Sequence, residues 1–247
     1  MKFLARLLAA ILALGIVRAE TTLTVSAAAS LAPAMAKARA LYAAAQPDVK
    51  LTFNFGGSGV LQQQIAAGAP VDVFISAGGK QMDSLEREGR LLPGTRRDLL
   101  TNQLFLITPK DEARITTLRD LAKAGIKRIA IGDPNAAPAG AYALDAIKAL
   151  GISRDVEPKL VRMLDVRQVL TAVETGNVDA GFVYLTDARS SEKVRIAATA
   201  ETPSPIVYPI AVIRNSQQPE EAKAFADFLA SAQARAVFEA FGFGTPK

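Results

Sequence analysis

Short apolar runs alternate with amphipathic stretches along most of the chain. Leu23–Ala27, Lys50–Phe55 and Val71–Ser76 read as strands. Between them, helices are expected near Leu31–Ala45 and Val60–Ala67. On the first of these, Leu31, Met35, Ala38, Tyr42 and Ala45 share one face at helical spacing. Lys80–Glu88 also reads as helical. A second set begins near Leu104, with strands at Leu104–Thr108 and Arg128–Ile131. Helices are expected at Leu118–Ala124, ended by Gly125, and at Ala141–Leu150, closed by Gly151. Asp165 suits the N-cap of a further helix carrying Val166, Val169, Leu170 and Val173 on one face. Strands follow at Ala180–Tyr184, Val194–Ala198 and Val207–Ile213, then helices across Pro219–Ala230 and Ala232–Ala240. This repeated order predicts an α/β fold built on mostly parallel, doubly wound sheets. No Pro/Gly/Ser-rich linker divides the chain, as expected of two lobes joined by more than one strand crossing.

Residues 1–19 stand apart from this pattern. Lys2 and Arg6 precede an apolar run from Leu7 to Val17, and Ala19 offers a small residue for cleavage after it. That order reads as a secretory signal peptide, and the run is shorter than the roughly twenty residues that span a bilayer. The alternative is a retained membrane anchor. The whole chain carries 29 basic and 24 acidic residues, a net +5. Without Lys2, Arg6 and Arg18 the balance is 26 against 24, so the basic character belongs partly to the leader. No Lys/Arg stripe interleaves with aromatics, which argues against nucleic-acid binding.

Cysteine and histidine are both absent. Disulfides, thiol catalysis, thiolate metal sites and an N-terminal lipidated cysteine are thereby excluded, pointing to a freely diffusing exported protein. The commonest general base and transition-metal ligand is missing too. These absences weigh against an enzyme.

Five short stretches lie where strands hand over to helices or turns, the usual place for ligands in open α/β sheets. In Ala27–Leu31, Ser30 has a hydroxyl donor beside a helix start; taken alone it reads more readily as an N-cap. In Phe55–Val60, Gly56, Gly57 and Gly59 allow close backbone approach around Ser58. The stretch is neither a nucleophile elbow, for want of the later glycine, nor a P-loop. Gly132–Pro134 through Pro138–Gly140 exposes a backbone N–H at Ala139 or serves simply as a helix-entry loop. Leu164–Arg167 offers the Val166 N–H, with Arg167 read as an exposed charge or salt bridge. In Phe182–Tyr184, the Tyr184 hydroxyl either donates to a ligand or is satisfied in a core.

Taken together and in order, the stretches AAASL (27–31), FGGSGVL (55–61), AGAPVDVFISA (67–77), GDPNAAPAGAYA (132–143), DVRQVL (165–170) and GFVYLTDA (181–188) resemble the periplasmic molybdate-binding component of molybdate ABC transporters. The resemblance implies a two-lobed type II periplasmic binding protein, with residues 20–101 and 214–247 in one lobe and 102–213 in the other. It implies molybdate or tungstate as ligand, held in the cleft by Ser30, Ser58, Ala139, Val166 and Tyr184. It further implies no cofactor or catalysis, a monomer in the periplasm, and an inner-membrane permease as partner. One departure is the Gly-Gly before Ser58, where relatives often show Ala and Ser. Molybdate is unprotonated at neutral pH, so its oxygens are all acceptors and a donor-only shell without carboxylates suits it. Rival readings are a carrier of sulfate, phosphate or ferric iron, a sensing domain, and a periplasmic hydrolase. The hydrolase lacks any Ser-x-x-Lys near the site serines.

Overall fold

The computed structural model describes residues 20–246. The expected signal peptide, residues 1–19 with cleavage after Ala19, lies outside the described residues. The chain opens with β1 (Thr21–Ala28), whose Leu23, Val25 and Ala27 are fully buried. A 3₁₀ turn at Ala29–Leu31 leads into α1 (Ala32–Ala45). Then come β2 (Val49–Gly56), α2 (Ser58–Ala66), β3 (Val73–Ile75), α3 (Gly79–Arg87) and β4 (Arg97–Asn102). After β4 the chain crosses at Gln103 into β5 (Leu104–Pro109). The second unit continues with β6 (Ile129–Gly132), α4 (Pro138–Ala149), α5 (Ser153–Val156) and β7 (Leu160–Met163). It closes with α6 (Val166–Glu174), β8 (Ala180–Tyr184), α7 (Leu185–Ala188) and β9 (Val194–Ala200). The chain then returns through β10 (Ile206–Val212), α8 (Pro219–Leu229) and α9 (Ala232–Ala240).

Two five-stranded sheets result, ordered β2-β1-β3-β10-β4 and β7-β6-β8-β5-β9. The expected parallel pairing holds for β2-β1-β3 and for β7-β6-β8. Each sheet is nevertheless mixed, because β10 runs antiparallel to β3 and β4, and β5 runs antiparallel to β8 and β9. The cause is the crossing. β10 and β5 begin where the chain enters their sheets from the other unit, so they run away from the cleft while their neighbours run toward it.

This pairing corrects one assignment. Residues 206–212, expected in the second lobe, form β10 and sit between β3 and β4 of the first sheet. The return crossing therefore falls between Ala200 and Ile206. The apolar pattern of β10 identifies a strand, but its partners lie over a hundred positions away in sequence. The helix expected at Leu118–Ala124 is a 3₁₀ segment, Leu118–Ala122, opened by a reciprocal Thr117–Asp120 capping box. On the first unit, α8 and α9 pack against α1. There the Tyr42 ring meets Phe225 at 4.9 Å and Phe228 at 5.0 Å. No described helix is long and apolar enough to cross a membrane.

Candidate functional site

The parallel strands of both sheets end at the same cleft. Each is followed by a turn and a helix start, and four such starts line one cavity. They are the 3₁₀ turn before α1, and the first turns of α2, α4 and α6. First-turn amides have no intrahelical acceptor and carry the positive end of the helix dipole. Here Ser58 is the first residue of α2, Ala139 the second of α4 and Val166 the first of α6. Their N–H groups bond to no other described residue. Ser30, Ser58, Ala139, Val166 and Tyr184 all line this cavity. The structure thus gathers all five residues singled out in the sequence.

The side chains around it are wired to each other across long sequence distances. Ser30 does not cap its own helix. The capping position of α1 falls on Leu31, and the Ser30 hydroxyl lies 2.9 Å from the Tyr208 hydroxyl on β10. Ser58 Oγ accepts the Ala77 N–H at 2.9 Å, which leaves its own hydrogen free to donate. Tyr184, from the second sheet, reaches across and donates to the Ala77 carbonyl at 3.3 Å. Its ring stands edge-on to Tyr208 with centroids 5.7 Å apart. Burial raises both tyrosine hydroxyls well above their ordinary range, so both remain protonated donors at neutral pH.

Charge is arranged around this neutral lining. Asp165 borders the cavity, but its carboxylate caps α6, accepting from the Arg167 and Gln168 amides at 2.8 and 3.0 Å. Arg167 turns away from the cavity. Its guanidinium lies 2.8 Å from Ser190 Oγ and 3.4 Å from Asp187 Oδ1, so the salt-bridge reading of Arg167 holds. Asp187 is fully buried in the first turn of α7, and its Oδ2 has no hydrogen-bond partner among the described residues. Burial raises its carboxyl to about 7, against the opposing pull of Arg167.

Sequence reasoning missed three participants. Tyr208 bonds Ser30, Ala77 bonds both Ser58 and Tyr184, and Asn102 donates to Tyr208 at 3.3 Å. Ala77 lies two residues beyond β3, at the end of the AGAPVDVFISA motif. Tyr208 and Asn102 belong to crossing strands and carry no local signal.

Two mixed α/β units tied by two crossings, with a donor-lined cavity between their strand ends, define a solute-binding protein of the cleft type. The chain belongs to the bacterial extracellular solute-binding protein family, whose model matches residues 23–244. The molybdate-binding protein ModA of Escherichia coli (strain K12) is 36% identical over 233 residues, covering 91% of this chain and 89% of that protein. ModA of Haemophilus influenzae (strain ATCC 51907 / DSM 11121 / KW20 / Rd) is 34% identical over 233 residues, covering 91% of each. The solved structure of the Azotobacter vinelandii periplasmic molybdate-binding protein superposes with a TM-score of 0.81 at 25% identity, covering 91% of this chain and all of that one.

Proposed function

We propose that this chain binds molybdate, and tungstate nearly as well, outside the cytoplasm and hands it to the permease of an ABC-type importer. The observation that carries the reading is the convergence of four helix starts and three buried hydroxyls on one cavity that, among the described residues, no cationic side chain lines. A dianion there is held by the hydroxyls of Ser30 and Ser58, by that of Tyr184 once its hydrogen turns from the Ala77 carbonyl to the ligand, and by the amides of Ala139 and Val166. Each hydrogen bond to a charged acceptor contributes roughly 1.5–3 kcal/mol, and several together offset desolvation and lobe closure. The ModA relatives support this choice of anion. Because both lobes supply donors, the ligand favours the closed state by its greater affinity for it. The role is carriage rather than catalysis: the chain has no histidine or cysteine, and the carboxylate bordering the cavity is engaged as a helix cap.

The test is a calorimetric titration of the purified protein with molybdate, tungstate, sulfate and phosphate. Molybdate and tungstate are expected to bind much more tightly than the other two. Equal or tighter binding of sulfate or phosphate would sink the assignment.

A further inference from the structure

A serine hydroxyl is both donor and acceptor, so a serine in an anion site does not by itself select an unprotonated ligand. At Ser58 the problem is solved locally, because Oγ accepts the Ala77 N–H and its hydrogen is left for the cavity. Ser30 has no such amide. Its partner is the Tyr208 hydroxyl at 2.9 Å, a contact in which either oxygen can donate. The direction is set one residue further back. Asn102 sits at the end of β4, and its Oδ1 accepts the Gln103 N–H at 2.9 Å. That bond fixes which way the amide faces. Both hydrogens of the Asn102 NH₂ then point outward, one to Thr186 Oγ1 at 3.2 Å and one to Tyr208 Oη at 3.3 Å. An NH₂ group can only donate. Tyr208 Oη therefore accepts from Asn102 and sends its own hydrogen to Ser30 Oγ. The phenol is also the more acidic hydroxyl of the two, which favours the same direction. Ser30 Oγ thereby accepts from Tyr208, and its own hydrogen is left free to donate into the cavity that Ser30 lines.

We infer that Asn102 and Tyr208 are positioning residues that hold the Ser30 hydroxyl as a donor, so that the site refuses oxyanions that carry a proton. The inference rests on the reading that Ser30 binds the anion. A fully ionised tetrahedral anion accepts every bond this shell offers. Monohydrogen phosphate keeps one O–H, which finds no acceptor at Ser30 while that hydroxyl is held as a donor, and an unpaired buried O–H is costly. Chains of hydrogen bonds of this kind act as a unit, so reversing one member reverses those downstream.

The experiment compares molybdate and phosphate affinities, by calorimetry at neutral pH, in the wild-type protein and in Asn102→Asp and Tyr208→Phe. Asn102→Asp replaces the obligate donor with an acceptor. Tyr208 then donates to the introduced carboxylate in place of Ser30, and Ser30 presents a lone pair to the cavity. The ratio of molybdate to phosphate affinity is expected to fall at least tenfold. Tyr208→Phe introduces no charge and frees Ser30 to turn either way; the same ratio is expected to fall severalfold. Mere loosening of the site would weaken both anions alike and leave the ratio unchanged. An unchanged ratio in Tyr208→Phe overturns the inference, whether or not Asn102→Asp folds. Failure of the functional reading looks different: wild type would not prefer molybdate, or Ser30→Ala would bind it as well as wild type does.

Discussion

The Gly59 amide donates to the Ala136 carbonyl across the cleft at 2.8 Å, joining the first turn of α2 to the loop that enters α4. The approach is so close that a Cβ at Gly59 would lie 1.9 Å from the Asn135 carbonyl oxygen. One at Gly57 would lie 2.2 Å from the Leu164 carbonyl oxygen. Backbone cannot yield as a flexible side chain does, so the two lobes seat on these glycines. Gly59→Ala is expected to weaken oxyanion binding at least tenfold, or about 1.4 kcal/mol. Alanine is the better helix former, so the ligand-free melting temperature should not drop. Titration and thermal melts of the same variant check both halves, and Gly125→Ala, with open space around the added methyl, serves as the control.

Ser58→Ala and Tyr184→Phe each remove one donor from the cavity. Each should lower molybdate affinity roughly ten- to a hundredfold, in line with roughly 1.5–3 kcal/mol per charged hydrogen bond. Val166→Ala should stay within about threefold of wild type, because Val166 offers only its amide. Isothermal titration of the three variants distinguishes side-chain from backbone donors.

Asp165→Asn separates two roles of one residue. Asparagine caps a helix about as well as aspartate, so stability should change by less than about 0.5 kcal/mol. A negative charge bordering the cavity is lost, and a dianion should bind several times more tightly at low salt. Melting and titration at two ionic strengths test this, and weaker binding would contradict it.

Asp187 ties stability to pH. Its carboxyl is raised to about 7 by burial, so the folded state holds its proton where the unfolded chain has released it. Between about pH 4 and 7 the folded state binds more protons, and this group's contribution therefore falls as pH rises across that window. Asp187→Asn should remove that slope and stabilise the protein at pH 8 by on the order of a few kcal/mol. Melting curves of both proteins from pH 5 to 8 give the comparison.

The strands and helices that end at the cleft were legible because each is set by local pattern. β1, α1, α4 and α6 announce themselves through apolar spacing, Pro138 at a helix start and Asp165 at a cap. The five lining residues were legible from the order of their motifs, more than from the chemistry of any one. What escaped depends on distant pairing. Ser30 read as a helix cap because the partner that claims its hydroxyl lies 178 positions later. β4, Arg97–Asn102, lacks a clean alternation and pairs with β10 and, through a single bridge at Thr101, with Gly244, both over a hundred positions later. Placing β10 in the wrong lobe hid Tyr208, since a strand's period reveals its faces and not its neighbours.

The position of β10 also sets the order in which the molecule can assemble. The second sheet is drawn from one continuous stretch, residues 104–200, whereas the first lacks the strand between β3 and β4 until Ile206–Val212 has been made. As the chain emerges from the ribosome, β3 and β4 have no partner on their facing edges. Joining them requires closing a loop of about a hundred residues, a slow step for any polypeptide. The lobe that begins first is thus completed last, and the nascent chain stays unfinished for most of its synthesis.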